Sequence, residues 1–115
     1  MMHFEPGDIV QAPFPHVERA VVVRRPALLL CSFDTDEAAI GLLAWVLMIT
    51  SARRPRWRGD LDIPDAERLG LIIPSRVRTA KVATVAAIDL VRIGRMDKAV
   101  AAQAKSIVLE ALGVS

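Results

Sequence analysis

The feature that most constrains this chain is the nearly unbroken apolar run over residues 39–50, AIGLLAWVLMIT, with four arginines close behind it. A strand with one wet face would alternate polar and apolar side chains, and this run does not. A helix crossing a bilayer needs about 20 apolar residues, so the run is also too short for that. What remains is a central strand buried on both faces.

Shorter signals surround it. Gly7-Asp8 marks a turn before a strand over residues 9–14, closed by Pro13 and Pro15, and His16, Glu18 and Arg19 then mark a loop. Residues 21–32 are apolar except at Arg24-Arg25-Pro26. A proline cannot donate a ladder hydrogen bond, so this point is a strand start, an edge or a bulge. Asp34, Asp36 and Glu37 form an acidic turn, and residues 60–63 alternate polar and apolar as a half-wet strand does. Residues 71–73 and 77–85 are further strands, separated by Pro74-Ser75, and residues 88–93 form the last one, ending at Gly94. The period then changes. Val100, Ala104, Ile107, Val108 and Ala111 recur at helical spacing, with Asp97 as N-cap and Gly113 as the stop. Many short strands and one terminal helix predict an α+β, mainly-β chain: a small barrel or strongly curled sheet with a helix on it, one domain over residues 1–115.

Composition narrows the function. Apolar residues are 53% of the 115, which excludes disorder. One cysteine, Cys31, excludes an internal disulfide framework, fits a reducing cytoplasm and is expected as an inert core thiol. Glu5, Gly7 and Asp8 interrupt any signal-peptide core, so a soluble cytoplasmic protein without membrane contact is expected. Two isolated histidines, His3 and His16, are too few for a zinc site, and neither metal nor cofactor is expected. Arginine outnumbers lysine twelve to three, and Arg53, Arg54, Arg56 and Arg58 cluster around Trp57. Guanidinium groups grip phosphate bidentately and stack on bases. Arginine with tryptophan therefore points to a backbone-tracking, base-stacking element for single-stranded RNA. Arg76 and Arg78 alternate with Val77, so one strand face presents both.

Three ordered segments resemble one family. Residues 7–15, GDIVQAPFP, look like the opening strand of the MazF/PemK toxins. Residues 24–30, RRPALLL, resemble the second segment of that family. Residues 74–78, PSRVR, with Thr84 and residues 92–96, RIGRM, ahead of a helix, are similar to its ending. The resemblance implies an SH3-like barrel that dimerises, a cognate antitoxin partner and a metal-independent endoribonuclease. It further implies RNA cleavage by the 2′-hydroxyl, leaving a 2′,3′-cyclic phosphate and a 5′-hydroxyl.

It also implies site residues. Arg25 matches the arginine used at the scissile phosphate, while Arg24 alternates to the other side and is counted among the RNA-contacting arginines. Thr50 matches a catalytic threonine at the end of the buried strand, with Ser51 as its substitute one residue on. His16 is a candidate general base, because histidine ordinarily titrates near pH 6.5, and Glu18 shares its loop. Trp45 is expected in the core or at a dimer interface. Two alternatives stay open: a CcdB-like toxin that binds a protein such as DNA gyrase, and a catalytically silent RNA- or protein-binding barrel. The short loop after the first strand departs from the family, so the cleavage sequence does not carry over.

Overall fold

A computed structural model describes residues 3–15 and 22–114. Six strands are joined in one antiparallel sheet: β1 (Asp8–Pro15), β2 (Val22–Asp34), β3 (Leu42–Ser51), β4 (Asp60–Asp62), β5 (Ser75–Ala86) and β6 (Val91–Arg95). One helix, α1 (Lys98–Ala111), follows them. Short 3-10 turns cover Ala66–Leu69 and Ala87–Asp89. The strand order is β4-β5-β3-β2-β1-β6.

The apolar run forms β3, third in that order, and its side chains divide between two cores. Leu47 and Ile49 join Ile9, Leu28, Val77 and the inner face of α1. Val46 and Met48 join Val10, Ala12, Ala27 and Leu29 on the opposite face. A strand covered on both sides has no reason to alternate polar with apolar, which explains the run.

Several expected boundaries shift. β3 begins at Leu42 because residues 38–40 form a turn, latched by hydrogen bonds from the Thr35 N–H and hydroxyl to the Gly41 carbonyl. Residues 71–73 form no strand, and β5 runs unbroken from Ser75 to Ala86. The last strand starts at Val91, after the 3-10 turn, and includes Gly94 rather than ending there. A Cβ on Gly94 would collide with the Leu69 carbonyl. The expected mainly-β architecture with a C-terminal helix is the one observed, but the sheet stays open rather than closing into a barrel. Its edges are the short strands β4 and β6, and the turn at Ala66–Leu69 packs against β6 instead of another strand.

Asp97 precedes α1 as expected, but its carboxylate makes no capping bond and instead pairs with Arg68 at 3.0 Å. Gly113, with φ +83°, ends the helix as predicted, its N–H donating to Glu110 and that of Val114 to Leu109. Trp45 is not a core residue: it is 45% exposed, and its ring meets Phe33 edge to face at 5.3 Å. Cys31 is half-buried at a bulge in β2 rather than sealed in the core.

Candidate functional site

Pro26 organises the site. It has no N–H to offer a ladder, and the pairing of β2 with β3 ends next to it, at Ala27 opposite Met48. β3 continues to Ser51 paired only with β5, while β2 before Ala27 pairs only with β1. Where the shared ladder ends lies a groove of about 440 Å³. Arg25 and Pro26 line it from β2, Ile49, Thr50 and Ser51 from β3, Gln11 from β1 and Ile93 from β6. Arg54, the crossing residues 70–73 and Ser75 complete the lining.

Arg25, Thr50, Ser51 and Arg54, all expected from sequence, therefore meet in one groove. Thr50 is 6% exposed, and its hydroxyl bonds no other described residue. Ser51 is engaged: its Oγ accepts from the Arg53 N–H at 3.1 Å and pins the turn. Arg25 is half-buried and makes no ion pair or hydrogen bond with another described residue. Among the described residues no carboxylate lines the groove, and Arg25 and Arg54 give that lining a positive charge suited to an anion.

The other arginines divide by role. Arg56 Nη2 donates to both Asp62 oxygens, at 2.7 and 2.8 Å, and Arg76 Nε donates to the same carboxylate at 2.9 Å. Arg76 Nη1 also reaches the Arg54 carbonyl at 3.1 Å. Arg78 is buried. It donates to Asp60 from Nε and Nη2, at 3.2 and 2.9 Å, and to the Pro55 carbonyl at 2.8 Å. Its guanidinium lies 4.0 Å over the Trp57 ring, whose backbone N–H bonds Asp60 at 2.9 Å. Burial alone would raise the Asp60 carboxyl, but the Arg78 bonds and the Trp57 N–H outweigh it and hold the group below its ordinary range. The bonds from Arg56 and Arg76 likewise hold Asp62 low.

Arg56, Arg76 and Arg78, expected to contact RNA, are engaged within the chain, where they fasten the 53–58 loop to β4 and β5. Trp57 keeps half its surface exposed but gives one ring face to Arg78. Arg53, Arg54 and Arg58 are exposed, and among the described residues they form no ion pair. Arg24, also expected to contact RNA, donates to the Asp89 carbonyl at 2.7 Å and lies outside the described groove lining, as alternation predicts. His16 and Glu18 lie outside the described residues. Sequence reasoning passed over Asp60 and Asp62, although Asp-x-Asp on one strand answers Arg-x-Arg on the next. It also passed over Gln11 and Ile72.

Among the described residues no group of three or more His, Cys, Asp or Glu is placed to hold a metal, and no helix is long and apolar enough to cross a membrane. A second cavity, about 420 Å³ between α1 and β2, is mainly apolar with Arg95, Lys98 and Lys105 along it, and none of the candidate catalytic or RNA-contacting residues is among its described lining.

An open antiparallel sheet with a terminal helix, and a cationic groove at its splayed strands, defines a small toxin-like fold. The chain belongs to the PemK-like, MazF-like toxin family of type II toxin–antitoxin systems, whose pattern matches residues 5–112. The fold is similar to crystal structures of MazF from Deinococcus radiodurans, with 20% identity, 96% of each chain covered and a TM-score of 0.71. A MazE–MazF structure from the same organism is similar at 18% identity, covering 96% of this chain and 97% of that one, with a TM-score of 0.70. The Mycobacterium tuberculosis toxin MazF-mt6 is similar at 20% identity, covering 94% and 98%, with a TM-score of 0.65. No curated protein matches the sequence.

Proposed function

We propose that this toxin is a metal-independent endoribonuclease acting on single-stranded RNA in the cytoplasm. The observation that carries this reading is the meeting in one groove of Arg25 and Thr50, whose side chains have no partner among the described residues, with no carboxylate among the described lining. RNA holds its own nucleophile beside the scissile phosphate, so alignment for in-line attack supplies much of the rate. The 2′-oxygen bonds phosphorus, its proton leaves to a base, the P–O5′ bond breaks, and the 5′-oxygen takes up a proton. The products are a 2′,3′-cyclic phosphate and a 5′-hydroxyl. A guanidinium stays protonated in proteins, so Arg25 acts as a charge stabiliser for the phosphorane rather than as the acid. Thr50 donates a hydrogen bond to a phosphate oxygen. His16 is the proposed base.

A cognate antitoxin protein is the proposed inhibitor; the MazE–MazF structures with a similar fold support a partner of that kind. Exposed Phe33 and Trp45, in edge-to-face contact across β2 and β3, support a face covered by a second copy, hence a homodimer. Incubation with a long single-stranded RNA in EDTA tests the nuclease reading. Discrete cuts, lost in Arg25→Ala, are expected. Intact RNA at high protein concentration would overturn it in favour of a toxin that binds a protein target.

A further inference from the structure

We propose that Gln11 and the turn carrying Ile72 and Ile73 form a nucleobase seat in this groove and select the sequences that are cut. The inference rests on the ribonuclease reading above. Gln11 follows fully buried Ile9 by two residues on β1, so the strand period turns it toward the same core face. It pairs across to Pro26 on one side and Val91 on the other, and it is half-buried in the groove lining. A carboxamide carries two donors and an acceptor, and this one bonds no other described residue. Placing such a group on an apolar face is costly unless something else meets its hydrogen bonds.

The turn offers the opposite chemistry. Ile72 is 89% exposed and Ile73 is about half exposed, yet both line a groove with two arginines and three hydroxyl residues. Their backbone is held, because the buried Ser75 hydroxyl donates to the Ile73 carbonyl at 2.8 Å. A fixed apolar wall is unfavourable against water and favourable against the flat face of an unstacked base. The groove thus combines cations for a phosphate, an apolar wall for a base face and an amide for a base edge. That set matches one nucleotide of single-stranded RNA, and an amide reads a base edge through its paired donor and acceptor.

The test maps cut ends on a long single-stranded RNA for the wild type, Ile72→Ser, Gln11→Leu and Gln11→Glu. Wild type should cut at one short sequence. Each variant should lose about tenfold in kcat/KM there, mostly through KM. Cuts at sites differing in one base should rise relative to it. Ile88→Ser, which removes a residue 80% exposed outside the groove, should keep the wild-type pattern and KM. Because Ile72 is so exposed, its variant decides the matter even where a Gln11 variant does not fold. Discrete wild-type cuts with an unchanged pattern and KM in Ile72→Ser overturn this inference alone. Intact RNA with the wild type overturns the nuclease reading and this inference together.

Discussion

Arg78 and Asp60 stand directly opposite each other across β5 and β4 and close a buried ion pair at 2.9 Å. The pair also gathers the loop, because Arg78 reaches the Pro55 carbonyl and Asp60 takes the Trp57 N–H. The Gly59 turn beneath it has φ +88°, and a Cβ there would strike the Thr79 hydroxyl. Removing one partner of a buried pair leaves a charge without compensation, at a cost of about 3–5 kcal/mol. Asp60→Ala should therefore lower the urea midpoint strongly. Asp62→Ala, at an exposed carboxylate, should lower it far less. Equal midpoints would contradict a clamp at Asp60.

Acid should weaken the fold through the same group. The Asp60 and Asp8 carboxyls are held below their ordinary range in the folded chain, Asp8 by the Glu5 N–H, Arg92 and Arg95 against the opposing effect of burial. The unfolded chain then binds protons more readily, so their contribution is present above about pH 4 and lost as pH falls through the folded values. Urea midpoints should be level near neutrality and fall below that pH. The fall should be shallower in Asp60→Asn, relative to its own neutral value.

Arg25 and lysine should not be interchangeable. Loss of one preorganised donor to a developing oxyanion costs about 10²–10³ in rate. Arg25→Lys keeps a charge but loses the planar fork, so its kcat should remain well below wild type rather than be rescued. Single-turnover cleavage under saturating RNA measures this, and a near-wild-type lysine variant would remove the fork from the account.

Salt dependence should separate gripping arginines from fastening ones. With an RNA made uncleavable by 2′-deoxy sugars, loss of one phosphate contact reduces the slope of log Kd against log salt by about 0.7. Arg53→Ala, Arg54→Ala and Arg58→Ala should each show that reduction. Arg76→Ala should leave the slope nearly unchanged, because its guanidinium is held by Asp62 and the Arg54 carbonyl.

The parts of the fold legible in the sequence are those set by local period. β3 announced itself because both its faces are apolar, and α1 did so through Val100 and Ala104. The segment at residues 71–73 misled because three apolar residues look alike in a strand and in an exposed wall. Barrel closure was not legible, since it depends on two edges far apart in sequence. The shared face of Arg76 and Arg78 followed from alternation. That β4 would bring Asp60 and Asp62 opposite them depended on a pairing across a dozen residues of intervening chain. Arg25 and Thr50 were found by family pattern, and the structure adds only that they reach one groove. Gln11 was missed because a lone amide in a strand has no signature until its neighbours are known to be core.

The interrupted ladder at Pro26 has a thermodynamic consequence for any ligand. Because the β2–β3 ladder stops at Ala27 and Met48, beside a proline with no N–H to extend it, the groove stands open between its described walls before anything enters it. Association then carries no penalty for separating the strands, and affinity should track the contacts made inside. Substitution at Pro26 would act on the resting shape of the site, leaving the chemistry of Arg25 and Thr50 intact but differently spaced.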